Sequence, residues 1–357
     1  MILRTDRLPN ADALAGRFQG VRLTRRGFLA ASALTVLSLA GCGGAQGQQG
    51  ASTAASGSKT VRIGGITDQP KLDMVGAIAQ KERFFEDELG KIGYTPEYQG
   101  FIQQGPAINE AFSSGALDYA LYGTLPALVA VSNGIDTKII ANACKRVPHA
   151  IAVKNDSPIN SVADLKGKRV VAQTGTVLVQ FLALALKTAN LTLNDVEIIN
   201  SATDGPSLVT ADQADAYTTS TVYGYANEPK GIGKVIFSAD KLDVSASFVF
   251  AGRKAVIDQN PNVAYALIRA LKRAYELAAS DPDKAYQDLA TTDLPADLQK
   301  KGYPDTSFTD FDPKIDAHSE ESIRQTIQFI RDNQLAKNDV SYEQAVDTTL
   351  YDKAVQG

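Results

Sequence analysis

The chain has 357 residues, with 36 Lys and Arg against 40 Asp and Glu, a net charge of −4 and 44% apolar side chains. That length suits one large or two medium domains with a substantial core, and the acidic balance argues against the concentrated basic face of a nucleic-acid groove. Two cysteines and two histidines, far apart and without ligand spacing, provide neither a disulfide framework nor a metal site, so no metal or cofactor is expected.

The N-terminus comes first in the chain and reads as an address. Arg25 and Arg26 precede an apolar run, Phe28 to Ala40, well short of the roughly 20 residues that span a bilayer. Twin arginines before such a run resemble an export signal for folded proteins. Leu39-Ala40-Gly41-Cys42 resembles the bacterial lipobox, in which the cysteine is lipidated and becomes the mature N-terminus. Residues 1–41 are therefore read as a twin-arginine lipoprotein signal peptide; an ordinary signal peptide with an incidental cysteine is the alternative. Removing them takes away six arginines and two aspartates and moves the net charge to −8. With Cys42 lipidated, Cys144 has no partner for an intrachain disulfide. Residues 42–58, rich in Gly, Ala, Ser and Gln, cannot bury enough surface to offset their ordering entropy. They are expected to form a flexible lipid-anchored linker with a span of about 20–25 Å.

From Lys59 onward, apolar runs of strand length alternate with helical patterns. Strands are expected at 60–66, 95–100, 118–122 and 138–143, with helices over Met74 to Leu89, Pro106 to Ser114 and Leu125 to Asn133. The pattern then restarts with strands at 169–172, 196–199, 214–217 and 234–237 around a strongly apolar helix, Val177 to Ala189. After a strand at 246–251 the chain turns helical, over 261–280, 283–289 and 319–332. Two βα units followed by a helical tail predict two α/β lobes, with the tail returning to the first.

Open α/β sheets bind ligands at the carboxyl ends of their strands, where helix N-termini converge. Three strand-to-helix junctions carry suitable chemistry: Gln103-Gln104-Gly105-Pro106, Tyr122-Gly123-Thr124-Leu125-Pro126 and Gln173-Thr174-Gly175-Thr176. Each leaves backbone N–H groups at the positive end of a helix, where an anion can be held without Lys or Arg. Gly123, Thr124, Thr174, Gly175 and Thr176 are therefore the expected ligand-binding residues, assisted by Gln69, Gln104 and Ser220, with Tyr223 lining an organic tail. Plain helix capping is the competing reading for each junction.

The run Asn109 to Tyr119 (NEAFSSGALDY), then Gly123 to Pro126 and Asn133 to Asp136, resembles the substrate-binding proteins of nitrate, sulfonate and taurine ABC importers. So do Ser161 to Val170 (SVADLKGKRV), Gly175-Thr176, Asp195 to Ile199 and Gln213 to Tyr217. The likeness covers about Lys59 to Leu289. It implies a two-lobed type II periplasmic-binding-protein fold of the α/β class, with two interlobe crossing strands, here near Ala150 to Val153 and Ala246 to Phe250. Lobe 1 would comprise 59–149 and 248–357, and lobe 2 would comprise 150–247. The resemblance further implies an extracytoplasmic protein, expected to be a monomer, that delivers a small ligand to a permease driven by a cytoplasmic ATPase; the lipobox independently places it on the cell membrane, lipid-anchored through Cys42. It implies no enzymatic activity and no nucleic-acid partner.

One stretch departs from the family. Where many members of the family carry an aromatic, an acid and a proline after Asp215-Ala216-Tyr217, the acid suiting an amine-bearing ligand, this chain has Thr218-Thr219-Ser220-Thr221-Val222-Tyr223. Thr221 cannot neutralise a cation, so an ammonium-bearing ligand such as taurine is disfavoured unless Asp68 supplies the charge. Alkyl and aryl sulfonates fit, with Tyr223 or Phe248 against the tail, and a thiamine pyrimidine precursor is an alternative. A further alternative is a hydrolase on the same scaffold with Cys144 as nucleophile and His149 as base. The competing reading of Cys144 is a small buried core thiol.

Overall fold

A computed structural model describes residues 59–243, 245–303 and 312–356. The signal peptide, Cys42 and the linker lie outside the described residues.

Strand β1 (Lys59–Gly65) pairs in parallel with β2 (Tyr94–Gly100) and β3 (Tyr119–Gly123). Helix α1 (Met74–Lys81) and helix α2 (Phe84–Gly90) connect β1 to β2. The single helix expected over Met74 to Leu89 is thus two. Arg83 adopts left-handed backbone, φ 59°, after its N–H bonds to the Gln80 carbonyl and that of Glu82 to Ile78. No Gly or Pro marks this break, so the apolar pattern runs through it.

Helix α3 (Gln104–Ser113) leads into β3, and α4 (Thr124–Ser132) leads into β4 (Thr137–Cys144). The chain then leaves the first sheet at Cys144 and enters β5 (His149–Val153) in a second sheet. His149, expected at the end of lobe 1, therefore opens the first strand of lobe 2. β6 (Arg169–Val171), α5 (Val177–Thr188), β7 (Glu197–Ile199), α6 (Gly205–Thr210), β8 (Ala216–Ser220), α7 (Thr221–Asn227) and β9 (Lys234–Ser238) follow. β10 (Phe248–Arg253) returns to the first sheet between β3 and β4, antiparallel to both.

The sheet orders are β2-β1-β3-β10-β4 and β7-β6-β8-β5-β9. These are the same permutation: in each, the strand arriving from the other lobe is inserted antiparallel beside the third strand. The connecting segments are 145–148 and 239–247, a few residues before the positions read from the sequence, which are themselves β5 and the start of β10.

One ion pair recurs in both sheets. The Arg62 backbone N–H and guanidinium reach Asp118, with Nε at 2.9 Å and Nη2 at 2.7 Å. In the second sheet Arg169 repeats this on Asp215, with Nε at 3.1 Å and Nη2 at 3.0 Å. Each Asp stands just before the third strand and ties it to the first. Asp118 also accepts from Arg253 of β10 at 2.7 Å.

The tail carries α8 (Lys254–Gln259), α9 (Pro261–Ser280), α10 (Pro282–Leu289), α11 (Ala296–Gly302), α12 (Ala317–Asp332), α13 (Tyr342–Ala345) and α14 (Thr349–Gln356). Helix α9 starts on Asn260, whose side chain accepts from the Asn262 N–H, and Pro261 takes the first helical position. Its apolar stripe, including Val263, Leu267, Leu271 and Tyr275, joins the first-lobe core against α1 and α2. Burial of each such aliphatic side chain is worth roughly 1.5–3 kcal/mol. α12 packs on α4. α11 departs from the expected return to lobe 1, because it also packs on α7 of the second lobe. A Cβ on Gly302 would stand 2.8 Å from the Val222 Cα, and Lys301 sits 3.2 Å from Glu228 and 4.0 Å over the Tyr225 ring.

Candidate functional site

A cavity of about 1000 Å³ opens between the two sheets, lined by residues of both lobes and of the tail. It lies where the loops after β1, β7 and β8 converge, at the carboxyl ends of strands. Two lining residues, Met74 (φ 49°) and Gln104 (φ 60°), begin α1 and α3 with left-handed backbone. A non-glycine residue in that region costs about 1 kcal/mol or more, and such strain concentrates at ligand sites.

Three of the expected residues, Gln104, Ser220 and Tyr223, line the cavity. Tyr223 is exposed into it from α7, and the Ser220 hydroxyl accepts from the Tyr223 N–H as the cap of that helix. The other six are elsewhere. Gln69 is exposed, and its carbonyl accepts from the Thr67 hydroxyl at 2.7 Å. Gly123 is a seam residue: a Cβ there would stand 2.6 Å from Val177 Cγ1, so its hydrogen lets the first residue of α5 enter the first-lobe core. The Thr124 N–H donates to the Ser247 carbonyl at 2.9 Å, and its hydroxyl is shared with Ser247 Oγ at 2.7 Å. Thr174 donates its N–H to Asn200 Oδ1, and Gly175 makes the turn at φ 73°. Thr176 is 1% exposed and its hydroxyl is spent locally, donating to the Gln173 carbonyl and accepting from the Leu178 N–H. At this junction the capping reading holds for Thr176.

The walls have opposite chemistry. Among the described residues, lobe 2 contributes Ser201, Thr203, Thr218, Thr219, Ser220 and Asn227, and no Lys, Arg, Asp or Glu. The charged lining residues described all belong to lobe 1: Asp68, Asp73, Glu86 and Asp288 as acids, with Lys71, Lys81 and Arg83 as bases. An acid therefore stands in the wall without an aspartate or glutamate after β8. Thr221 is buried and outside the lining. The disfavour toward cationic ligands read from Thr221 loses its basis.

Asp73, Thr219 and Tyr303 line the cavity without having been among the expected ligand-binding residues, and so does His149, named only as the base of the enzymatic alternative. The first strand-to-helix loop, 67–73, follows a strand end like the three junctions chosen, and the same rule could have found Asp73. His149 is 5% exposed, with its ring 5.6 Å from that of Phe181. Burial pushes its pKa down to about 3, so the imidazole is neutral, and its buried Nδ1 has no partner. The Thr219 hydroxyl bonds to no other described residue. Tyr303 arrives from the tail, which no local pattern announces.

Cys144 is not part of this wall. It is 7% exposed, its thiol donates to the Arg146 carbonyl at 3.1 Å, and burial pushes its pKa up to about 12. A thiol so held forms almost no thiolate near neutral pH. Among the described residues no group of three or more His, Cys, Asp or Glu is placed to hold a metal ion, and no helix is long and apolar enough to cross a membrane.

Two α/β lobes of identical strand order, joined by two crossings and enclosing a cleft, define the type II periplasmic-binding-protein fold. The chain belongs to the NMT1/THI5-like family, whose model matches residues 101–285. A protein of Escherichia coli named for binding aliphatic sulfonates is 26% identical over 245 residues, covering 68% of this chain and 76% of the relative. The alkanesulfonate-binding protein SsuA from Xanthomonas axonopodis pv. citri, solved bound to MOPS, superposes with a TM-score of 0.68 at 20% identity, over 81% of this chain and 98% of that one. The desulfurization enzyme DszB does so with a TM-score of 0.65 at 15% identity, over 84% and 99%. These two structural likenesses establish the fold alone.

Proposed function

We propose that this chain is the extracytoplasmic solute-binding component of an ABC-type importer, capturing a small organic acid, a sulfonate or a related compound, between its lobes. One observation carries the reading: the two-walled cavity of about 1000 Å³, at the upper end of the size range of small-ligand sites. Sulfonate-binding names among the relatives support the ligand class. The uncharged hydroxyl wall of lobe 2 suits an acid group held by hydrogen bonds, and Tyr223 and Phe248 suit an organic tail. A catalytic role through Cys144 has no support in its surroundings. Lipid attachment at Cys42 would hold the protein beside its permease, and Cys42→Ser should release it from membranes washed in salt.

Calorimetric titration of the purified protein with alkyl, aryl and amino sulfonates tests the ligand class. Thr219→Val, which removes a free hydroxyl from the neutral wall, should weaken the best binder about tenfold, the low end for a hydrogen bond to a charged group. Failure of every sulfonate to bind would falsify the ligand class.

A further inference from the structure

Among the acids of the lobe 1 wall, Asp73 stands where a helix cap is expected and does not act as one. Asp73 occupies the cap position of α1, where an aspartate normally accepts from the first free N–H groups, yet its side chain makes no cap hydrogen bond. Among the described residues its buried Oδ1 has no hydrogen-bond partner, and no Lys or Arg forms an ion pair with it. A buried carboxylate oxygen left without a partner is costly, so a fold that keeps one beside a cavity keeps an acceptor for something that enters the cavity.

The surroundings favour a positive partner. Among the described lining residues acids outnumber bases by four to three, and all seven stand on the lobe 1 side. Tyr223, Tyr303, Tyr98 and Phe248 line the same space, and aromatic faces attract a cation as a carboxylate does. The opposite wall carries hydroxyls and amides without charge, where the acid end of a ligand can sit away from Asp73.

We propose that Asp73 is a ligand-selecting residue that accepts a hydrogen bond from a cationic nitrogen, so that the cleft prefers organic acids also carrying a protonated amine. The inference rests on the reading of this cleft as the ligand site and names the second polar group of the ligand. Burial pushes the carboxyl up to about 7 against the pull of its own N–H and that of Ile66, and a bound cation would return it to the charged form.

Matched pairs separate this proposal from its foundation. The full-length protein and its Asp73→Asn variant are titrated with 3-aminopropanesulfonate against propanesulfonate, and with taurine against ethanesulfonate. The amino member of each pair should bind the wild type at least about tenfold more tightly, and Asp73→Asn should bring the pair to within about twofold. Equal binding by the wild type, or a preference that survives in the variant, overturns the role of Asp73 and leaves the sulfonate reading intact. If no sulfonate of either kind binds, the sulfonate reading fails, and melting of the ligand-free proteins at pH 8 decides on Asp73. An unchanged or higher Tm for Asp73→Asn supports a group reserved for ligand. A lower Tm overturns the proposal, since the carboxylate would then serve the fold.

Discussion

The two lobes share a skeleton and differ in the wall each turns to the cleft. Both sheets place the incoming strand antiparallel beside the third strand, and both tie the first and third strands with one Arg–Asp pair, Arg62 with Asp118 and Arg169 with Asp215. Yet among the described residues lobe 1 supplies the seven charged lining residues and lobe 2 only neutral ones. The difference lies in the loop after β1 and in the helical segments beyond it, α1, α2 and α10, which the shared strand order leaves free to vary. Strand order sets where the cleft opens, and these segments set the charge of its wall.

The sharpest test of the shared skeleton asks whether the two ion pairs are equivalent. The Asp118 side chain is 9% exposed and serves two arginines, whereas that of Asp215 is 30% exposed and serves one. Removing one member of a buried pair costs about 3 kcal/mol or more, and an exposed pair about 1 or less. Asp118→Asn should therefore lower stability by about 3 kcal/mol in urea titration, and Asp215→Asn by about 1. Equal losses would break the ranking. Burial raises the pKa of Asp118, but its arginine partners outweigh burial and hold it below the usual range; Arg169 likewise depresses Asp215. Both contributions are present above the unfolded carboxylate value, near 4, and disappear as pH falls through the folded value.

His149 opens the first strand of lobe 2 and reports on the seam between lobes. Its folded pKa, about 3, lies below its unfolded value of 6.5. The unfolded chain thus binds the extra proton first, so stability is complete above about pH 6.5 and declines toward pH 3. By pH 5 the loss should be about 2 kcal/mol. His149→Gln should flatten the profile between pH 6.5 and 5, and an unchanged profile would show that the decline comes from the carboxylates.

A smaller effect separates the residues that build the cleft from those that face it. Thr176 caps α5, so Thr176→Val should cost about 1 kcal/mol of stability and leave ligand affinity unchanged. Thr219→Val should do the reverse. A loss of affinity in Thr176→Val without a loss of stability would restore the junction at Thr174-Gly175-Thr176 to the ligand site.

That pair of variants also marks how far the sequence reaches. Strands were legible because buried ones are short apolar runs with turn residues between them, and the restart after β4 announced the second lobe. The break at Arg83 was not, since its backbone reversal uses no glycine or proline. Thr124 and Thr176 have the composition of anion sites, but a hydroxyl at a helix start serves a cap or a ligand equally well. Only the tertiary position of Ser247 and the local bond to Gln173 decide between them. Tyr303 lies some 80 residues beyond β8 in sequence and joins it only because α11 packs on α7. Asp73 was legible in principle, standing after β1 as Thr124 stands after β3.

The effect nearest zero concerns Cys144, which ends β4 on the lobe 1 side of the first crossing while His149 starts β5 on the other. If the seam between lobes performed chemistry, this thiol would be its nucleophile. Its neighbours argue otherwise: the Arg146 carbonyl accepts the thiol proton at 3.1 Å, and burial raises the pKa to about 12. At pH 8 less than about one thiol in a thousand would be ionised, against roughly a quarter for a free cysteine. Native protein should therefore resist iodoacetamide at pH 8 for as long as it stays folded, and react fully in urea. Cys144→Ala should change ligand affinity less than about twofold, because the sulfur does not line the cavity. Rapid alkylation of the folded protein, blocked by bound ligand, would put the thiol in the cleft and reopen the enzymatic alternative.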